Sequence, residues 1–155
     1  MWLKITLPEY NYAKDCLEDL KKKNIKISPW IENIFKNKKY KFSKKLFPLF
    51  LERIYVKDLG FKKPTKLIKI YKRLKFLKYE LVPPQICLLA RKEYKIQPKG
   101  EWLRFATPLN SMIDEDGVPH LPKLGSALGF LFIETYWSYP GAIFHPHNDF
   151  VVVKK

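Results

Sequence analysis

Apolar residues recur at helical spacing near the start of the chain. Within residues 10–23, Ala13, Cys16, Leu17 and Leu20 fall at i, i+3, i+4 and i+7, which predicts an amphipathic helix. Lysines close it where the helix dipole is negative, and Asn24 is a suitable stop. Ser28-Pro29 is a start signal: a hydroxyl to cap free N–H groups, then Pro at the first helical position. Trp30, Ile31, Ile34 and Phe35 supply the apolar face of this second helix. Residues 37–45 are Lys-rich and irregular and predict a loop. Residues 49–56 read as a strand, with Gly60 ending it. Thr65 is placed to cap a third helix over 66–77, whose stripe is Leu67, Ile70, Tyr71, Leu74 and Leu77. Residues 79–82 are extended up to Pro83-Pro84. Pro84 can open a fourth helix with Ile86, Leu89, Ala90 and Tyr94 facing inward. From Glu101 on, residues 101–109, 128–136 and 150–154 predict strands, and Asp116-Gly117 predicts a tight turn. The expected fold is α+β: about four mainly N-terminal helices packed on a small mixed or antiparallel sheet, one domain over residues 1–155.

Composition sharpens this. Of 155 residues, 46% are apolar and 15% aromatic, which excludes a disordered polyelectrolyte. The formal charge is +15, and it is not evenly spread. Residues 1–80 hold 22 Lys+Arg against 8 Asp+Glu, whereas residues 81–155 hold 8 against 7. The chain therefore divides into a basic, mainly helical half and a near-neutral, strand-rich half. Such asymmetry is the footprint of an anion-binding face. The candidate contacts to nucleic acid or another polyanion are Lys21, Lys22, Lys23, Lys38, Lys39, Lys44, Lys45, Lys62, Lys63, Lys66, Lys69, Lys72 and Arg73. Tyr40 and Phe42, set among lysines, are candidates for stacking on bases. Only four of the basic residues are Arg, so the charge suits attraction to phosphate better than bidentate base reading. A lysine excess can also come from an AT-rich genome, leaving a solvated surface and no partner.

No apolar run approaches the ~20 residues of a membrane span, and the amino end lacks a signal-peptide core. Membrane insertion is not expected, and a cytoplasmic location is. Cys16 and Cys87 lie in apolar patterns without metal or disulfide spacing and read as reduced, buried small hydrophobes.

Motifs for chemistry are sparse. Asp114-Glu115-Asp116 runs into Gly117 and reads as a solvated turn rather than a cation loop. His145 and His147, with His120 or Asp149, could ligate a metal, but Pro146 and Asn148 favour a turn. There is no Gly-x-Ser-x-Gly elbow and no phosphate-binding glycine loop. No catalytic residue, metal site or cofactor is expected.

From Gly60 onward the chain carries Leu59-Gly60-Phe61, Ile68-Lys69-Ile70-Tyr71, Glu80-Leu81-Val82-Pro83, Tyr94-x-x-Gln97-Pro98-Lys99-Gly100-Glu101-Trp102-Leu103-Arg104, Asp114-x-Asp116-Gly117 and Phe150-Val151-Val152-Val153. This set resembles a family of small bacterial proteins, with Ser28-x-Trp30 extending the likeness toward the amino end. The chain departs from the family in its lysine content and over residues 118–130. The resemblance implies a bacterial, intracellular, single-domain protein and carries no activity. The residues themselves read as a junction between the fourth helix and the sheet: Pro98 fixes φ, Gly100 permits a turn, and Trp102 anchors a strand. The other reading is a small-ligand pocket of Tyr94, Gln97, Glu101 and Arg104. The expected function is a non-enzymatic binding or regulatory protein that contacts a polyanion. The alternatives are a protein-interaction module of a bacterial regulatory or immunity pair and, behind it, a small enzyme.

Overall fold

The computed structural model describes residues 1–154. Its elements run β1 (Leu3–Ile5), α1 (Ala13–Lys22), β2 (Lys26–Ile27), α2 (Pro29–Phe35), β3 (Leu49–Tyr55), β4 (Thr65–Lys66), α3 (Leu67–Phe76), α4 (Ile86–Glu93), β5 (Trp102–Phe105), β6 (His120–Ala127), β7 (Phe130–Trp137), β8 (Ile143–Phe144) and β9 (Asp149–Val153). The fold is α+β. A seven-stranded mixed sheet has the order β1-β3-β9-β5-β6-β7-β2, and β4 pairs with β8 in a separate two-stranded piece. The β5–β9 and β2–β7 pairs are parallel; the others are antiparallel.

The helices are not confined to a helical half. They are interspersed with β1 to β4, α4 falls in the second half of the chain, and β3 lies inside the sheet between β1 and β9. The sheet is completed only when both halves of the chain are in place.

Period-two alternation decides which helix lies where. Along β9, Val151 and Val153 join a cluster with α1, α2 and α4, while Phe150 and Val152 join a second cluster with α3. The first face adds Leu51, Leu103, Leu124 and Ile133 beneath Leu20, Ile31, Phe35 and Ala90. The second adds Ala106 and Leu121 beneath Leu67, Ile70, Tyr71 and Leu74. All five β9 residues are buried, as a strand covered on both faces requires. Each such apolar side chain contributes about 1.5–3 kcal/mol by leaving water.

Ser28 caps α2 as predicted, its Oγ accepting from the Trp30 N–H at 3.2 Å. Thr65 does not cap α3; it sits in β4 and donates to the Lys63 carbonyl at 2.7 Å. The β6 strand escaped prediction because Pro122 and Gly125 interrupt it. Pro122 fits there because pairing with β5 begins only at Lys123. Leu128 and Gly129 are the two-residue turn between β6 and β7, not strand, with φ of 54° and 81°. Cys16 and Cys87 are buried free thiols, and burial pushes the Cys16 thiol up to about 12. Among the described residues no helix is long and apolar enough to cross a membrane.

Gly125 has a second role. Trp102 lies opposite it on β5, and its indole lies across the glycine backbone. A Cβ at Gly125 would stand 2.1 Å from the nearest ring carbon. Gly125→Ala is therefore expected to lift the indole and to cost about 1–3 kcal/mol in urea unfolding, the usual price of overpacking. The loss should largely vanish when Trp102→Ala is combined with it.

Candidate functional site

The last turn of α4 carries Arg91, only 1% exposed and the largest fully buried side chain. Its Nη1 donates to Gln97 Oε1 at 2.7 Å and to the carbonyls of Gly125 and Phe132 at 3.1 and 3.2 Å. Its Nη2 donates to the Tyr94 carbonyl. Desolvation brings this guanidinium down to about 10, so it remains charged at neutral pH. Gln97 in turn donates through Nε2 to the Leu124 carbonyl at 3.0 Å and to Glu101 Oε1 at 3.3 Å.

Glu101 stands just ahead of β5 and receives the Tyr94 hydroxyl at 2.9 Å and Arg53 of β3 at 3.2 Å. Arg53 also pairs with Asp149, the first residue of β9. Burial would lower the Arg53 pKa, but the Asp149 hydrogen bond and the charges of Asp149 and Glu101 raise it above the ordinary value. Tyr94 is raised by burial and then by its bond to Glu101. A continuous polar chain thus runs Arg91–Gln97–Glu101–Arg53–Asp149. Three of the predicted pocket residues, Tyr94, Gln97 and Glu101, belong to it. The junction and the pocket readings of this run meet here, because the same groups fasten α4 to the sheet.

A cleft of about 330 Å³ opens beside the chain, lined by Arg53, Glu101, Arg104, His147 and Asp149 among others. The fourth predicted residue, Arg104, lies there with its Nη1 on the Trp102 carbonyl at 3.1 Å and its Nε unpartnered. His145 and His147 stack at 5.6 Å in the turn before β9. His120 is remote from them in role: it is buried and bonded to Asp114 at 2.8 Å and Thr135 at 3.1 Å. No group of three metal-ligating side chains occurs among the described residues.

The sheet separates the basic candidates. Lys21, Lys22 and Lys23 end α1, and Lys38, Lys39, Lys44 and Lys45 follow α2, both on the α1/α2/α4 side. Lys21 pairs with Glu32 at 2.7 Å and Lys23 with Asp19 at 3.4 Å. Tyr40 and Phe42 are not stacking platforms. They are 6% and 5% exposed, and the Tyr40 hydroxyl donates to the Ser111 carbonyl. Alternation in an irregular segment gives no measure of depth; Tyr40 packs on Phe35 of α2, and Phe42 lies beside Phe47 in the same core.

Lys62, Lys63, Lys66, Lys69, Lys72 and Arg73 belong to the α3 side, where residues 59–79 contain eight cations and no carboxylate. Among the described residues none of these eight is in an ion pair. The outer face of α3 presents Lys69, Lys72 and Phe76, and Phe76 is 73% exposed with the Arg73 guanidinium 5.1 Å from its ring centre. Residues three and four apart on a helix lie about 5–6 Å apart at Cβ, so these side chains form one patch. Phe76 was missed because it follows Lys75 outside the apolar stripe, where an aromatic has no packing role. That mismatch is the signal.

Comparisons with protein-family models, curated proteins and solved structures found no match to the chain.

Arg91→Lys is expected to cost about 3 kcal/mol or more in urea unfolding, because one ammonium cannot reach four acceptors and leaves buried carbonyls unsatisfied. Glu101→Gln, at the half-open end of the chain, should cost about 1–2 kcal/mol.

Proposed function

We propose that this is a non-enzymatic nucleic-acid-binding protein whose contact surface is the loop before α3 and the outer face of that helix. One observation carries the reading: residues 59–79 hold eight cations and no carboxylate, and the seven lysines among them are exposed, while the half-buried Arg73 donates to the Leu59 carbonyl. Unpaired lysines keep their counterion attraction for phosphate, whereas Lys21 and Lys23 spend theirs on Glu32 and Asp19. Phe76 adds an exposed ring at the C-terminal end of α3, suited to an unstacked base. Lys22, Lys38, Lys39, Lys44 and Lys45 on the other layer are also exposed and outside the ion pairs among the described residues, so the α3 layer is preferred for its freedom from carboxylates and its exposed ring. A cytoplasmic location and kinship with the small bacterial family resembled by residues 94–104 go with this proposal.

A second reading, a protein-interaction module, draws on the opposite end of β7. Trp30 and Trp137 flank His120 at 5.4 and 5.6 Å, and Trp30, Trp137, Tyr139 and Ile143 are each more than 40% exposed. An apolar cavity of about 470 Å³ lies between Trp137 and Ile143. Retention of a protein at high salt, with loss on Trp137→Ala, would favour it over nucleic acid.

Fluorescence anisotropy with a generic oligonucleotide tests the first reading. About four phosphate contacts predict a log–log salt slope near −3 to −4. Lys69→Gln with Lys72→Gln should weaken binding at low salt and reduce the magnitude of the slope by about 2. Unchanged affinity and slope would remove α3 as the contact.

A further inference from the structure

On the face of the sheet that bears α3, rows of side chains remain uncovered beside the helix. Arg104 of β5 stands directly opposite Lys123 of β6. Like charges directly opposed across a ladder are destabilising, and here both are also partly withdrawn from water. Among the described residues no carboxylate oxygen lies within 4 Å of either cation, although Glu134 is the cross-strand neighbour of Lys123. Desolvation, then the charge of Arg104, lowers the Lys123 pKa against the opposing charge of Glu134; desolvation lowers Arg104 against the opposing charge of Asp149. A sheet that retains such a pair, with the Arg104 Nε unpartnered, is poised for an anion.

Aromatic rings occupy the neighbouring positions. Trp102, Gly125 and Phe132 form the next cross-strand row, with Trp102 and Phe132 at 5.8 Å. Lys123 Nζ lies 4.9 Å from the Trp102 ring centre. One row further along the same face, Phe130 is 41% exposed and carries Lys26 at 4.4 Å. Gly125 is what keeps this surface flat, because only a residue without Cβ lets the indole lie on the strand. A row holding Arg104 and Lys123, with Glu134 beyond them, thus lies beside rows of ring faces on β5, β6 and β7.

We infer that this strip binds single-stranded nucleic acid, with a phosphate between Arg104 and Lys123 and unpaired bases against Trp102, Phe132 and Phe130. The inference rests on the α3 reading, which brings the polyanion to this side of the sheet, and adds the substrate class. Duplex cannot use the strip because its bases are already stacked.

The test compares a twelve-residue oligothymidylate with a twelve-base-pair duplex at one low salt concentration. Wild type should bind the single strand at least tenfold more tightly, with quenching of tryptophan emission that Trp102→Phe removes. Phe132→Leu and Lys123→Met should each lower single-strand affinity about tenfold and leave duplex affinity unchanged. Phe132→Tyr, which keeps the ring, should restore it and so separates ring loss from misfolding. Equal affinity for both probes, or Phe132→Leu and Lys123→Met binding the single strand as wild type does, would overturn the strip while leaving α3 in place. Binding of neither probe would overturn both.

Discussion

A guanidinium removed from water with no carboxylate against it must find carbonyl oxygens for its N–H groups, and the position of Arg91 follows from that need. Its partners come from the end of α4, the 94–97 turn and two adjacent strands. Burying a charge costs several kcal/mol even after relaxation, so these acceptors must stay in place for the fold to persist. The consequence travels outward. Gln97, held by Arg91 and by the Leu124 carbonyl, fixes Glu101; Glu101 fixes Arg53; Arg53 fixes Asp149 at the head of β9. The nearest negative charge thus reaches Arg91 through an amide, and a helix is locked to strands from both halves of the chain. The same anchoring sets where β5 begins, and with it the row in which Trp102 faces Gly125 and Arg104 faces Lys123.

Much of the fold was legible because its signals are local. The spacing of Ala13, Cys16, Leu17 and Leu20, the Ser28-Pro29 start, and the Leu67–Leu74 stripe each correspond to a buried helix face. What stayed hidden has physical causes. Two-residue strands such as β2, β4 and β8 carry no period to read. In β6, Pro122 and Gly125 look like breakers, and their tolerance depends on where β5 starts and where an indole lies. Tyr94, Gln97 and Glu101 were found together because they lie within eight residues of one another. Arg53 and Asp149 could not be joined to them, since that requires the register of β3 on β9. One signal was available: in a chain with 26 lysines and four arginines, Arg53, Arg91 and Arg104 all hold multi-acceptor or half-buried positions around one site. Those are places where a planar fork of donors does what an ammonium cannot.

The charge asks a different question, whether +15 reflects a partner or drift. The sheet answers part of it by dividing the lysines between two sides. On the α1 side some are neutralised by carboxylates within the same layer, and exposed pairs of that kind contribute little to stability. Drift explains solvated lysines well, because they cost almost nothing where they stand. It explains Arg104 opposite Lys123 less well, because a half-buried like-charge pair is unfavourable in the free protein even with the charges of Glu134 and Asp149 acting on it. Sequences that break a local rule usually do so where function compensates. The +15 is therefore the weaker argument for an anionic partner, and one adjacent pair of cations inside the sheet is the stronger.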